Sequence, residues 1–95
     1  MSILHPEGYE FGCPDGEWIG RFDHKQWGKN KNLILYFTEE ETGGRFWFSV
    51  FWADAYRPRD GQINFRDEEP GSRYKLNTRM NDKGKPVFLG ATKLE

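Results

Sequence analysis

The chain has little of several things that would simplify its interpretation. It has one cysteine, Cys13, in 95 residues. An intramolecular disulfide is therefore excluded, a composition that fits a reducing compartment. No apolar run approaches the roughly 20 residues needed for a membrane-spanning helix. The first residues carry Glu7 and Glu10 where a secretory signal would carry basic and then apolar residues. The expectation is a cytoplasmic protein without a membrane partner. Net charge is close to nil, at -1, so bulk electrostatics select no partner. Histidine is confined to His5 and His24. With Cys13 these fall short of the about four ligands of a zinc site, and no metal or cofactor is expected. There is no Gly-rich phosphate loop and no carboxylate pair at a telling spacing. Asp23 and His24 are adjacent, which on a regular strand sends them to opposite faces. The expectation is a non-enzymatic protein.

Aromatic residues are abundant: four Trp, four Tyr and eight Phe. They bring large apolar area from few positions, which offsets a low mean hydropathy of -0.90. The length suits one domain, residues 1–95. Residues 1–16 hold Pro6, Gly8, Gly12, Pro14 and Gly16 and read as an irregular segment, with Tyr9 and Phe11 tucked against the body.

Strand signals follow in series. Glu17 to His24 places Trp18 and Phe22 on one face. Asn32 to Thr38 is a continuous apolar run, as in a central strand. Thr42-Gly43-Gly44 turns the chain into Arg45 to Ala53, making a hairpin. Ile63 and Phe65 mark a short strand, and Ala53 to Arg57 allows one short helical turn. Arg73 to Met80 alternates, with Tyr74, Leu76, Thr78 and Met80 inward and Arg73, Lys75, Asn77 and Arg79 outward. Asn81 to Gly84 turns the chain, and Val87 to Thr92 pairs back. No longer helical period is present. The fold class is all-β: a small five- or six-stranded antiparallel barrel or strongly bent sheet, of the oligonucleotide-binding (OB) or SH3 kind. Tyr74 to Leu94 resembles the closing hairpin of small five-stranded barrels that bind oligonucleotides.

Two functional readings follow. The strand from Arg45 is apolar on both faces, with Phe46, Phe48, Val50 and Trp52 on one and Trp47 and Phe51 on the other. A small core fills from one face only, so Trp47 and Phe51 are candidate contacts for a protein partner or a second copy, unless Tyr9 and Phe11 cover them. This is the first reading: an interaction module. The second is single-stranded nucleic-acid binding. The row Arg73, Lys75 and Arg79, extended by Lys83 and Lys85, suits a phosphate backbone. The stretch Arg21 to Lys31 is basic, with a second half made loop-like by Gly28 and Asn30, and its Trp27 offers a ring on which a base stacks. Solvated strand faces and loops have the same composition. Glu39-Glu40-Glu41 and Asp67-Glu68-Glu69 read as turn tips, without the pattern of a calcium loop.

Overall fold

The computed structural model describes residues 8–28, 32–50, 65 and 67–94. It is all-β, with six strands in one sheet: β1 (Glu10–Phe11), β2 (Gly16–Trp27), β3 (Leu33–Glu39), β4 (Arg45–Val50), β5 (Arg73–Met80) and β6 (Pro86–Lys93). No helix occurs among the described residues, so none there is long and apolar enough to cross a membrane. The strand order is β1-β4-β3-β2-β5-β6. The sheet is open, not a closed barrel. It is also mixed, not purely antiparallel, because β1 runs parallel to β4 through Glu10↔Phe46 and Phe11↔Trp47.

β2 organises the fold. Its first half pairs with β5, from Gly16↔Thr78 to Arg21↔Arg73, and its second with β3, from Gly20↔Glu39 to Trp27↔Leu33. A strand shared this way must bend, and two features of its sequence allow it. Gly20 is buried where the Trp18 ring crosses it, leaving no room for a Cβ. A bulge follows between Phe22 and His24, and a bulge bends its strand and sharpens the twist.

The bend gives the sheet a concave side. Phe22, Phe37, Phe48, Tyr74 and Leu76 lie there with no solvent exposure. Rings meet mainly edge to face, as between Trp18 and Phe37 at 5.7 Å and 86°, the arrangement that aromatic quadrupoles favour. Phe65 is set at the centre, 5.2 Å from Phe22, 5.4 Å from Phe37 and 5.0 Å from Tyr74 between centroids. It stands in a turn, not in the expected strand. Ile63 and the expected turn at 53–57 lie outside the described residues. Phe48 and Phe88 stack at 6.3 Å, bringing β6 back towards β4.

Thr78 is the buried polar residue of this core. Its hydroxyl accepts from the Trp18 indole at 2.8 Å and donates to the Pro14 carbonyl at 2.7 Å, so it is satisfied at both ends. Tyr74 and Leu76 join it in the core, while Lys75, Asn77 and Arg79 point out, as alternation dictates. The β3–β4 and β5–β6 hairpins also follow the expected turns, with Gly43 at φ 76° and Gly84 at φ 73°. Both edges are blunted. β1 has two residues and β6 begins at Pro86, two devices that discourage edge pairing.

Candidate nucleic-acid interface and a covered aromatic face

The expected site residues fall into three places. The first is the convex face of β3 and β4. Trp47 is half-buried there beneath Phe11, with ring centroids 4.6 Å apart. The Gly12 amide donates to the Trp47 carbonyl at 3.0 Å. The apolar surplus on β4 is thus covered in part by the chain's own first strand. Phe51 lies outside the described residues.

The second is the outer row of β5. Arg73 donates to both carboxylate oxygens of Glu40 on the neighbouring hairpin, and this contact holds the Glu40 carboxyl below its ordinary range. Lys75 pairs with Glu17 on β2 at 3.1 Å. The first half of the basic row is therefore laced to carboxylates. A groove of about 440 Å³ runs beside it, lined by Glu17, Ile19, Glu40, Glu41 and Lys75. The acidic runs also serve the fold. Glu39 accepts from the Thr42 hydroxyl at 3.1 Å, and Glu68 accepts from Tyr74 at 2.9 Å and pairs with Lys93 at 3.4 Å.

The third is the rim where the β5–β6 turn meets the end of β4. Arg79, Lys83 and Lys85 are exposed and form no ion pair among the described residues. Asn81 Oδ1 accepts from the amides of Lys83 and Lys85, both at 2.9 Å, which fixes the turn carrying them. Beside it lies a cleft of about 240 Å³, lined by Ser49, Val50, Lys85, Pro86, Val87 and Phe88. Trp27, half-exposed, pairs with Leu33, which pairs with Val50. Two strand spacings thus put the Trp27 backbone about 10 Å from that of Val50. Trp27 ends a strand that begins at Gly16, so the strand runs past its expected end at His24 and carries Trp27 with it. Lys25 is turned to the backbone, donating to the Glu68 carbonyl at 2.8 Å. Lys29 and Lys31 lie outside the described residues.

The convex face also holds a polar network that sequence spacing does not reveal. Tyr9 lies at 77° to Tyr36 with centroids 5.3 Å apart, and the Arg45 guanidinium sits 5.4 Å from its centroid. The Tyr9 hydroxyl donates to Asp23 Oδ2 at 2.8 Å, the Thr38 hydroxyl donates to the same oxygen, and Arg21 Nε donates to Oδ1 at 3.0 Å. Burial, then the hydrogen bond to Asp23, pushes the Tyr9 phenol up from its ordinary pKa. His24 meets Tyr36 at 5.4 Å. Asp23 and His24 therefore serve the same face, contrary to the alternation expected of a regular strand. The bulge is the reason: Phe22 pairs with Phe37 and His24 with Tyr36, leaving Asp23 as the extra residue.

Cys13 is buried and donates to the Arg79 carbonyl at 3.5 Å. Burial raises its pKa, which disfavours a reactive thiolate. Among the described residues no three His, Cys, Asp or Glu side chains are grouped to hold a metal ion. Comparison with known proteins finds no family model, no curated protein and no solved structure that matches the chain.

Proposed function

We propose that the chain is a non-enzymatic binding module with an OB-like strand arrangement, and that it holds single-stranded nucleic acid at the rim between Trp27 and the β5–β6 turn. Strands β2 to β6 support the arrangement: a meander β2-β3-β4, a hairpin β5-β6 added beside β2, and β6 returning towards β4. OB folds are five-stranded, partly open barrels. They bind through the face of their second and third strands and through the loops joining strands one to two and four to five. The equivalents among the described residues are β3, β4 and residues 81–85.

Fold alone does not assign function. The observation that carries the reading is local: the exposed Lys85 lines a partly apolar cleft, the exposed Lys83 sits on the same turn, and the half-exposed Trp27 ends a strand two spacings from Val50 in the cleft wall. Cations for phosphates and a ring for a base are the two requirements of sequence-tolerant single-strand binding. The test is fluorescence polarisation of a labelled oligothymidine strand. Affinity is expected to fall more than about tenfold between about 50 and 200 mM salt. Trp27→Ala is expected to weaken binding by about 5- to 150-fold, the worth of one stacked base. Lys83→Glu with Lys85→Glu is expected to abolish it. No binding at low salt overturns the proposal.

A protein partner or a second copy is the alternative. Phe11, half-exposed where it lies on Trp47, favours it. A mass that rises with concentration in sedimentation would support self-association.

A further inference from the structure

Tyr9 is held in an arrangement that suits another planar ring. Its face lies under a guanidinium, it packs nearly perpendicular to Tyr36, and its one polar side-chain atom donates to a carboxylate. We propose that Tyr9 stands in for a nucleobase, and that the slot it fills, formed by Arg45, Tyr36, Asp23 and Thr38, takes an unpaired guanine when residues 9–11 lift away. The inference rests on the nucleic-acid reading and adds to it a second subsite and a base preference.

Three observations support it. First, the segment's strand pairing is short. β1 contributes two ladder pairs, and Phe11 remains half-exposed. Elements with few buried contacts open at low cost. Second, glycines bound it, Gly8 at φ 92° and Gly12 at φ 141°, so its ends turn without the steric penalty of a Cβ. Third, the slot's chemistry selects. An ionised carboxylate only accepts hydrogen bonds, and Asp23 already draws donors from Tyr9, Thr38 and Arg21. Guanine presents two adjacent donors, N1–H and N2–H, on its Watson–Crick edge. Thymine sets its single N3–H between two carbonyl oxygens, which a carboxylate repels. Arg45 adds a cation over the base and charge near its phosphate.

The experiment compares the full chain with Tyr9→Ala and Tyr9→Phe in calorimetric titrations with guanosine and thymidine 5′-monophosphates. Tyr9 is only partly buried, so both variants are expected to fold, which thermal unfolding checks. Tyr9→Ala empties the slot and is expected to bind the guanosine nucleotide at least about tenfold more tightly than wild type, because the competent state no longer has to be selected. Tyr9→Phe keeps the ring and is expected to bind no more tightly than wild type. Thymidine nucleotide is expected to gain little. Asp23→Asn in the Tyr9→Ala background turns one acceptor into a donor and is expected to erase the guanine preference.

Equal gains for both nucleotides, or a preference that survives Asp23→Asn, overturns the slot. So does a Tyr9→Ala variant that binds no better than Tyr9→Phe. The oligothymidine titration separates the two proposals. Salt-sensitive strand binding without a guanosine gain retains the rim and removes the slot, and a guanosine gain without strand binding does the reverse.

Discussion

Replacing Thr78 with Val keeps the side chain's shape and deletes its hydroxyl. Two hydrogen bonds disappear, the 2.8 Å bond from Trp18 Nε1 and the 2.7 Å bond to the Pro14 carbonyl. The losses are unequal. Pro14 is only partly buried, so water can reach its carbonyl. Trp18 is 7% exposed, so its indole N–H is stranded. A typical hydrogen bond contributes about 1 kcal/mol net, and a stranded buried donor costs about 1–3 kcal/mol. Together these predict a loss of about 2–4 kcal/mol. For a domain of this size that is a fall in Tm of roughly 8–30 °C. Urea unfolding followed by far-ultraviolet circular dichroism measures it, with the m-value expected to hold steady. The double variant Trp18→Phe/Thr78→Val removes both partners, so its cost is expected to fall short of the sum of the singles by about 1–2 kcal/mol. A Thr78→Val protein within about 0.5 kcal/mol of wild type would refute the reasoning, since surface substitutions reach that value without touching any core group.

Three further outcomes are expected. Burial, and then the hydrogen bond to Glu68, pushes the Tyr74 phenol up to about 12. The unfolded chain titrates near the ordinary value of about 10, so it loses this proton first. The stabilisation is full below about pH 10 and is lost as pH rises towards 12, and Tyr74→Phe is expected to flatten that part of a stability-against-pH curve. A Cβ at Gly20 would overlap the Trp18 ring and come within 3.2 Å of Leu76 Cδ1, so Gly20→Ala is expected to cost about 1–3 kcal/mol by overpacking in urea unfolding. Cys13, buried and with its pKa raised, is expected to react with an aromatic disulfide reagent only at the rate at which the chain opens. Rapid labelling under native conditions would contradict that burial.

The parts legible in the sequence are those governed by neighbours in the chain. The period of Tyr74, Leu76 and Thr78, the apolar run Leu33 to Phe37 and the glycines at two turns depend on local geometry, and their strands follow. Elements set by distant pairing were not legible. The β1–β4 contact joins Glu10 to Phe46 through two rungs, too few to leave a pattern. The Phe22–His24 bulge lies in an unremarkable Phe-Asp-His stretch, because β2 has to serve two partners. Arg73 and Lys75 were readable as cations, but their carboxylates come from a hairpin and a strand far away in sequence. Tyr9, Asp23, Thr38 and Arg45 come from four separate segments, so no spacing rule brings them together.

The pairing of β2 with β5 has a consequence for how the chain is made. Gly16 cannot meet Thr78 until both have been synthesised, and a loop of that length is closed at an entropic cost before its contacts repay it. The β2–β4 meander therefore leaves the ribosome first, with Phe22, Phe37 and Phe48 still without the β5–β6 hairpin that covers them. That interval is when the nascent chain is most prone to aggregate. Folding is expected to wait for the β5–β6 hairpin and, for a domain of this size, to be slow, because its decisive contacts are those furthest apart in sequence.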